Sequence, residues 1–444
     1  MGGDEVEAIT IDEVRLVLQG LYIRQTYDLG ETEQWIAIKS TPAKRKFSPE
    51  PHDIIKEIEL LSKISHINII DVIGSKRTGA TIELYTPWIP YSLENLLDTP
   101  TFTPSPIPTQ IKHLVRAAYV DAQNPSREEI FEVVTKSIVY QLIRALEYLH
   151  GLEEPVGHRD IKPRNVLIDP NGCVKLIDFG IAYQESTNAD AGNLWPESKD
   201  NMYNDVATGP FRAPELLFGP KTYDACGTDL WSLGCTIAHF FTPIQLHRNL
   251  YIDDENDEDE QAWSNDDDKP RLAYLVPKDV DAVTFRSAEW ARQPLFEGRR
   301  GSIGLAWSIF SLRGTPSTEN WPCFEALPDA NKIQFKVVPS RDIRLRLPNI
   351  PPNTPSTGSE HKAPEQFAAT PLDLIHRLLV YPPEDRLKAA DAVEHPWFTT
   401  TREEDVFGTD GMEWEGLELL VEYCVWESVT FTSRRMLVQW KETA

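Results

Sequence analysis

HRDIKPRNVLIDPNGCVKLIDFG, residues 158–180, sets three polar clusters around two apolar runs, Val166 to Ile168 and Val174 to Ile177. Asp169-Pro170-Asn171-Gly172 between the runs is turn chemistry, so the stretch is expected to form a strand, a tight turn and a second strand. Such a hairpin carries Asp160 and Asn165 just before its first strand and Asp178 just after its second, with Lys162 between Asp160 and Asn165. Carboxylate, amide and carboxylate thus gather at one end of a rigid ribbon. Hard oxygen donors of this kind suit Mg²⁺, and Mg²⁺ suits a nucleotide phosphate.

Composition narrows the classes. A chain of 444 residues has room for two or three domains by length alone, and its 41% hydrophobic share is that of a protein with a buried core. No apolar run approaches the ~18 residues needed to cross a membrane. Met1-Gly2-Gly3-Asp4-Glu5-Val6 fails as a myristoylation signal, because Val6 stands where Ser or Thr is required. Cys173, Cys226, Cys235, Cys323 and Cys424 show no paired spacing, so reduced thiols in a cytoplasmic or nuclear protein are expected. The net charge of −25 argues against direct nucleic-acid binding. Asp253 to Asp268 contributes ten acids and no base, the pattern of a solvated, disordered insertion or of a docking surface for a basic partner.

His158, Arg159, Asp160, Lys162 and Asn165 match H-R-D-x-K-x-x-N, and Asp178, Phe179 and Gly180 match D-F-G, so the chain resembles the eukaryotic protein kinases. One D-F-G means little in a chain this long; both motifs, in order and separated by a hairpin, are specific. The resemblance implies an α+β, two-lobe kinase fold: a small, mainly β N-lobe with one helix and a larger, mainly α C-lobe.

Upstream, Val14 to Leu18 and Leu21 to Ile23 are short apolar stretches around Gly20. The family joins two strands here by a G-x-G-x-x-G loop whose amides cover the phosphates. This chain reads VRLVLQGLYIRQTYD, offering only Gly20, with bulky Tyr22 and Arg24 close by. Trp35-Ile36-Ala37-Ile38-Lys39 resembles the V-A-I-K strand, and period-2 alternation sets Ala37 and Lys39 on one face. Asp53 to Ser65 has helical spacing, and Glu57 falls where the family's helix glutamate pairs with the strand lysine. Lys56-Glu57-Ile58 and His66-Ile67-Asn68-Ile69 are similar to R-E-I and H-P-N-I of the cyclin-dependent and mitogen-activated group. Against the cyclin-binding P-S-T-A-I-R-E helix, only Pro51, Ile55 and Glu57 are identical. Ile82 to Trp88 reads as the strand leading to the hinge, with Thr86 as gatekeeper and Pro87-Trp88-Ile89 as hinge. There the resemblance asks Pro87 only for its carbonyl and takes the N–H donor from Ile89.

Thr99 to Pro108 reads as an extended, Pro-rich loop with no packing signal. Ser126-Arg127-Glu128-Glu129 is a capping box, opening a helix whose core face is Ile130, Val134, Ile138, Leu142, Leu146 and Leu149. Thr208-Gly209-Pro210-Phe211-Arg212-Ala213-Pro214-Glu215 resembles T-x-x-Y-R-A-P-E, and Thr208 with Lys162 implies serine/threonine specificity. Asp229 to Cys235 fits the helix that buttresses the catalytic loop, Arg386 fits the buried partner of Glu215, and Leu312 to Pro328 resembles the insert of the cyclin-dependent group. The likeness runs from about Trp35 to Phe398. The segment TGPFRAPELLFGPKTYDACGTDLW and the missing glycines are similar to the fungal single-subunit kinases that activate cyclin-dependent kinases.

The resemblance assigns the parts. ATP and Mg²⁺ are expected as cofactors. Lys39, held by Glu57, orients the α- and β-phosphates. Ala37, Thr86, Pro87, Ile89 and Leu167 surround the adenine, and Asn165 and Asp178 bind the metal. Asp160 takes or orients the substrate proton, Lys162 steadies the γ-phosphate, and Thr208 binds Asp160. The expected organisation is N-lobe 1–89, C-lobe 90–398 with insertions at 99–108 and 253–268, and an extension at 399–444. The expected substrate is a protein, the activation-loop threonine of a cyclin-dependent kinase, acted on in nucleus or cytoplasm by a monomer that needs no cyclin. The rivals are a mitogen- or stress-type Ser/Thr-Pro kinase and a pseudokinase scaffold. Tyr203 stands at the family's phosphorylated position, and Asp205 is the expected built-in anion near it.

Overall fold

The computed structural model describes the backbone of residues 11–18, 21–27, 33–35, 112 and 399, and residues 36–44, 46, 48, 50–111, 126–185, 192–247, 269–277, 289–351, 354 and 368–398 in full. Strands β1 (Ile11–Leu18), β2 (Leu21–Tyr27), β3 (Glu33–Pro42), β4 (Gly74–Thr78) and β5 (Thr81–Pro87) form one antiparallel sheet in the order β1-β2-β3-β5-β4. β1 and β2 are the two strands expected around Gly20, which itself lies outside the described residues. Alternation along β3 buries Ile36 and Ile38 with Tyr85 of β5, so Ala37 and Lys39 take the opposite face. The register sets Ala37 opposite Thr86 and Lys39 opposite Leu84.

Helix α1 (Ile54–Lys63) starts where Asp53 accepts hydrogen bonds from the N–H groups of Ile55 (2.9 Å) and Lys56 (3.2 Å). Its buried stripe is Ile54, Glu57, Leu60 and Leu61. A carboxylate in such a stripe needs a cation, and the orientation of α1 decides which cation it meets.

Behind the sheet lies a mainly helical lobe. After β6 (Tyr91–Ser92) come α2 (Leu93–Leu97), α3 (Thr109–Lys112) and the 24-residue α4 (Arg127–His150). The Ser126/Glu129 capping box closes in both directions, at 3.3 and 2.7 Å. Val134, Ile138, Leu142, Leu146 and Leu149 of α4 are buried, with Ile130 half-buried at the end of the face. Beneath α4 run β7 (Val156–Gly157), the hairpin β8 (Val166–Ile168) and β9 (Val174–Leu176), and β10 (Tyr183–Gln184). Asp169 makes the hairpin turn by accepting from the N–H groups of Asn171 and Cys173, both at 2.8 Å, and Gly172 takes φ 78°. Helices α5 (Ala225–Phe241), α6 (Gly301–Arg313), α7 (Pro371–Leu378) and α8 (Ala389–Val393) complete the core.

The expected Glu215–Arg386 pair forms through two parallel bonds of 2.7 Å, both side chains buried. Arg386 also donates to the carbonyls of Val380, Gly227 and Tyr381, so the guanidinium is fully used.

One expectation fails. The loop at 99–108 is packed, not merely extended: Phe102 is 2% exposed, its ring 5.0 Å from Phe131 and 6.4 Å from Phe240. Arg292 donates to the carbonyls of Leu97, Phe102 and Thr242, and Thr103 donates to Asn349 at 3.0 Å. A single aromatic among prolines has no periodicity to betray it, and the guanidinium that satisfies the loop comes from far along the chain. The acidic stretch 253–268 and residues 400–444, Cys424 included, lie outside the described residues. The four described cysteines are unpaired, as expected, and no described helix is long and apolar enough to cross a membrane.

Candidate active site

The hairpin and α5 between them build the polar end of the cleft. Asp229, fully buried on α5, accepts from the backbone N–H of His158 (2.7 Å) and Arg159 (2.6 Å) and contacts the His150 imidazole at 3.0 Å. These bonds hold Arg159 at φ 63°, and Asp178 stands at φ 67°. Left-handed backbone at a non-glycine residue costs roughly 1–3 kcal/mol and persists only where the surroundings fix it. The His158 imidazole bonds the Ile177 carbonyl (2.9 Å) and lies edge-on to Phe179, tying the two motifs together.

This frame presents Asp160. Thr208 Oγ1 donates to Asp160 Oδ1 at 2.7 Å, Lys162 Nζ to Asp160 Oδ2 at 2.7 Å, and Lys162 Nζ reaches Thr208 Oγ1 at 2.6 Å. Asn165 Nδ2 donates to the Asp160 carbonyl and to Oδ2, both at 2.9 Å. With its nitrogen committed, the Asn165 amide keeps its oxygen for a cation, and Asp178 supplies a carboxylate. This donor set is hard, anionic and oxygen-only, and it fits Mg²⁺ shared with phosphate oxygens.

On the sheet side, Lys39 Nζ bridges Glu57 Oε2 (2.7 Å) and Asp178 Oδ1 (2.6 Å). α1 therefore turns its one buried acid toward the strand lysine. The Phe179 N–H donates to the other Glu57 oxygen at 3.2 Å. Burial alone would lower the Lys39 ammonium, but the charges of Glu57 and Asp178 hold it above its ordinary value. Burial would likewise raise the Asp178 carboxyl, yet Lys39 keeps it far below the usual carboxylate range. Burial dominates at Glu57 and pushes its carboxyl up against the pull of Lys39.

Of the expected adenine-site residues, Ala37 is buried and Thr86, Pro87, Ile89 and Leu167 are half-buried. Ala37 and Thr86 are cross-strand partners, Pro87 ends β5, and Leu167 lies on β8 opposite Lys175 and Ser92.

The activation segment brings a correction. Asp205 is not the anion that faces Arg159: its side chain is 87% exposed and it takes a 2.7 Å bond from Arg212. Arg159 is instead gripped by Glu197, through bonds of 2.8 and 2.6 Å, and it also donates to Tyr223 Oη and the Ile181 carbonyl, each at 2.7 Å. Glu197 was not singled out from the sequence. It lies in NLWPESKD, which matches no motif, and only the folded path of the segment returns it to the catalytic loop. Ala207 was missed for the same reason; its φ is 63°, and its carbonyl accepts from Arg212 at 3.2 Å.

The Protein kinase domain family model matches residues 26–398. Among curated proteins, the chain is 28% identical to Serine/threonine-protein kinase ppk23 of Schizosaccharomyces pombe over 83% of its own length and 66% of the relative's. It is 27% identical to Cyclin-dependent kinase 20 of Homo sapiens over 63% and 57%, and 26% identical to Cyclin-dependent kinase D-1 of Arabidopsis thaliana over 84% and 65%. The chain thus spans between half and two thirds of the length of the curated relatives it matches. It belongs to the protein kinase family, with cyclin-dependent-kinase-like proteins among its relatives.

Proposed function

We propose that this kinase-family chain is an active serine/threonine protein kinase that moves the γ-phosphate of ATP to a protein hydroxyl. The observation that carries this reading is the closed triangle of Asp160, Lys162 and Thr208, in which every side is 2.6–2.7 Å. Asp160 accepts or orients the incoming hydroxyl proton, and Lys162 lends positive charge to the phosphoryl group as its bond breaks. Thr208 fixes both through its hydroxyl. Lys39, held by Glu57, aligns the non-transferred phosphates. Asp178 and Asn165 would hold Mg²⁺, which supplies charge neutralisation across the phosphates. A scaffold without turnover has no physical need for this complete set, in register, around one cleft.

The finer proposal is that the substrate is the activation-loop threonine of a cyclin-dependent kinase, acted on by a monomer without a cyclin, in nucleus or cytoplasm. Its support is the likeness of residues 208–231 to the fungal activating kinases and the poor match of Pro51 to Glu57 to a cyclin-binding helix. A second reading, a Ser/Thr-Pro kinase, is favoured by Ala207. Its carbonyl, beside Thr208, is already occupied by Arg212. A substrate residue following the phosphoacceptor there leaves its N–H without that acceptor, and proline has no N–H to leave. The test is phosphate transfer to purified, unphosphorylated cyclin-dependent kinases beside a peptide pair differing only in Pro or Ala after the serine. Labelling of the kinases with no Pro preference supports the first reading. A Pro preference above about tenfold with unlabelled kinases supports the second. No transfer to any substrate overturns both.

A further inference from the structure

Glu197 sits where the catalytic loop, α1 and the activation segment meet. Its carboxylate takes both terminal nitrogens of Arg159, from the catalytic loop. It contacts Lys56 Nζ of α1 at 3.3 Å, one residue before Glu57. It accepts the backbone N–H of Tyr203 at 2.9 Å, while Tyr223 Oη, which receives Arg159, donates to the Tyr203 carbonyl at 2.6 Å. Arg159 is fully buried, the Glu197 side chain is 3% exposed and Lys56 12%. Burial would raise the Glu197 carboxyl, yet the bonds and charge of Arg159, with Lys56, keep it below the usual range, so it is an anion in the fold. Two cations this deep cannot stand without a negative partner.

The same stretch is fastened to α1 a second time. The Trp195 N–H donates to Asp53 Oδ2 at 3.0 Å, and the Asp53 N–H to the Gly180 carbonyl at 2.8 Å. The capping residue of α1 is therefore bound to the start of the activation segment and again to its middle, and Glu57 is presented to Lys39 by contacts internal to the chain. Nothing in this junction calls for an added phosphate or a second protein. Tyr203, at the position where a phosphate would be expected, joins the network through its backbone N–H and carbonyl.

Resting on the kinase reading above, we propose that Glu197 is a positioning residue: a permanent carboxylate that does for Arg159 and α1 what a phosphate on the activation segment would otherwise do, so that the chain turns over unphosphorylated and alone.

The experiment uses the full chain made in bacteria, treated with phosphatase and shown by intact mass to carry no phosphate. It is compared with Glu197→Gln, which keeps size and loses charge. The expected result is undiminished turnover of the phosphate-free wild type. In Glu197→Gln we expect a kcat lower by tenfold to about a hundredfold, the cost of misplacing a catalytic group by up to ~1 Å, with Mg²⁺-ADP affinity changed less than about threefold. Loss of turnover on phosphatase treatment overturns the proposal, as does a Glu197→Gln enzyme with wild-type kcat. Should Glu197→Gln not fold, the wild-type comparison alone decides. If no form transfers phosphate, the kinase reading has failed, and amide exchange at residues 159–162 and 201–208 judges Glu197 separately. Faster exchange in Glu197→Gln supports the positioning role, and unchanged exchange overturns it.

Discussion

Lys39 and Arg159 each meet a carboxylate within 3 Å, yet their surroundings differ. The Lys39 side chain is 32% exposed and that of Asp178 29%, and this network holds two carboxylates to one ammonium. Around Arg159 the balance reverses, with two cations on Glu197, and the cluster is sealed. Water and salt can enter the first network and weaken it; the second, with Arg159 fully buried and Glu197 3% exposed, is screened far less. The open, net-negative network is built to be completed by a metal and a polyphosphate. The closed one is already complete and holds the backbone that aims Asp160.

This difference predicts distinct failures, beginning with the largest. Asp160→Asn removes a group that acts only in the transition state. Turnover should fall ~10³-fold or more, with nucleotide affinity in calorimetry close to wild type. Glu215→Ala breaks a sealed pair far from the phosphates and strands Arg386. Urea unfolding should show a loss of about 3–5 kcal/mol. A loss below about 1 kcal/mol would mean that sealed pairs in this fold are not structural. Lys39→Met opens the exposed network. Phosphate transfer should drop by about 10²-fold in kcat/KM while the melting temperature moves little, because Glu57, already pushed up by burial, takes a proton when its cation is gone. A Lys39→Met protein that unfolds would erase the contrast between the two networks.

The smallest effect sharpens the boundary between them. Asp98, which follows α2, takes a single backbone N–H, from Arg292 at 2.9 Å, and burial raises its carboxyl to about 7 from the ordinary 3.8. The fold therefore binds this proton more tightly than the unfolded chain. The group's contribution to stability is complete below pH 3.8 and is lost as pH rises through about 7. Asp98→Asn should gain on wild type across that window and stay level above it. At pH 8 relative to pH 5 the gain in melting temperature should be about 1–3 °C. An equal difference at both values would show that Asp98 titrates normally.

Much of the open network was legible in the sequence, because its residues sit in short motifs whose spacing the chemistry dictates. Asp160, Lys162 and Asn165 belong to one loop, Asp178 follows a hairpin whose turn is written in Asp169 and Gly172, and Lys39 lies on an alternating strand. Glu57 could be placed because residues 53–65 carry helical spacing and it falls where the family's helix glutamate pairs with the strand lysine. The closed network was half legible: Arg159 lies in the motif, but its partner does not. Glu197 reaches Arg159 only through the path of an irregular segment, and no periodicity or turn chemistry encodes that path. Asp205 lies closer to Tyr203 in sequence, but in space it pairs with Arg212 and leaves Arg159 to Glu197. Phe102 was hidden likewise, since its packing depends on Arg292 and Phe240, which come late in the chain.

Asp160, Lys162, Asn165, Asp178, Lys39 and Glu57 together form the set of residues proposed above to transfer phosphate. The most direct measurement is incorporation of label from γ-labelled ATP into protein serine or threonine by the purified wild type, with Mg²⁺ and with EDTA, beside Asp160→Asn. Mg²⁺-dependent incorporation by the wild type is expected, with at least ~10³-fold less by the variant. Nucleotide binding by both proteins, with the same background signal from each, would contradict it.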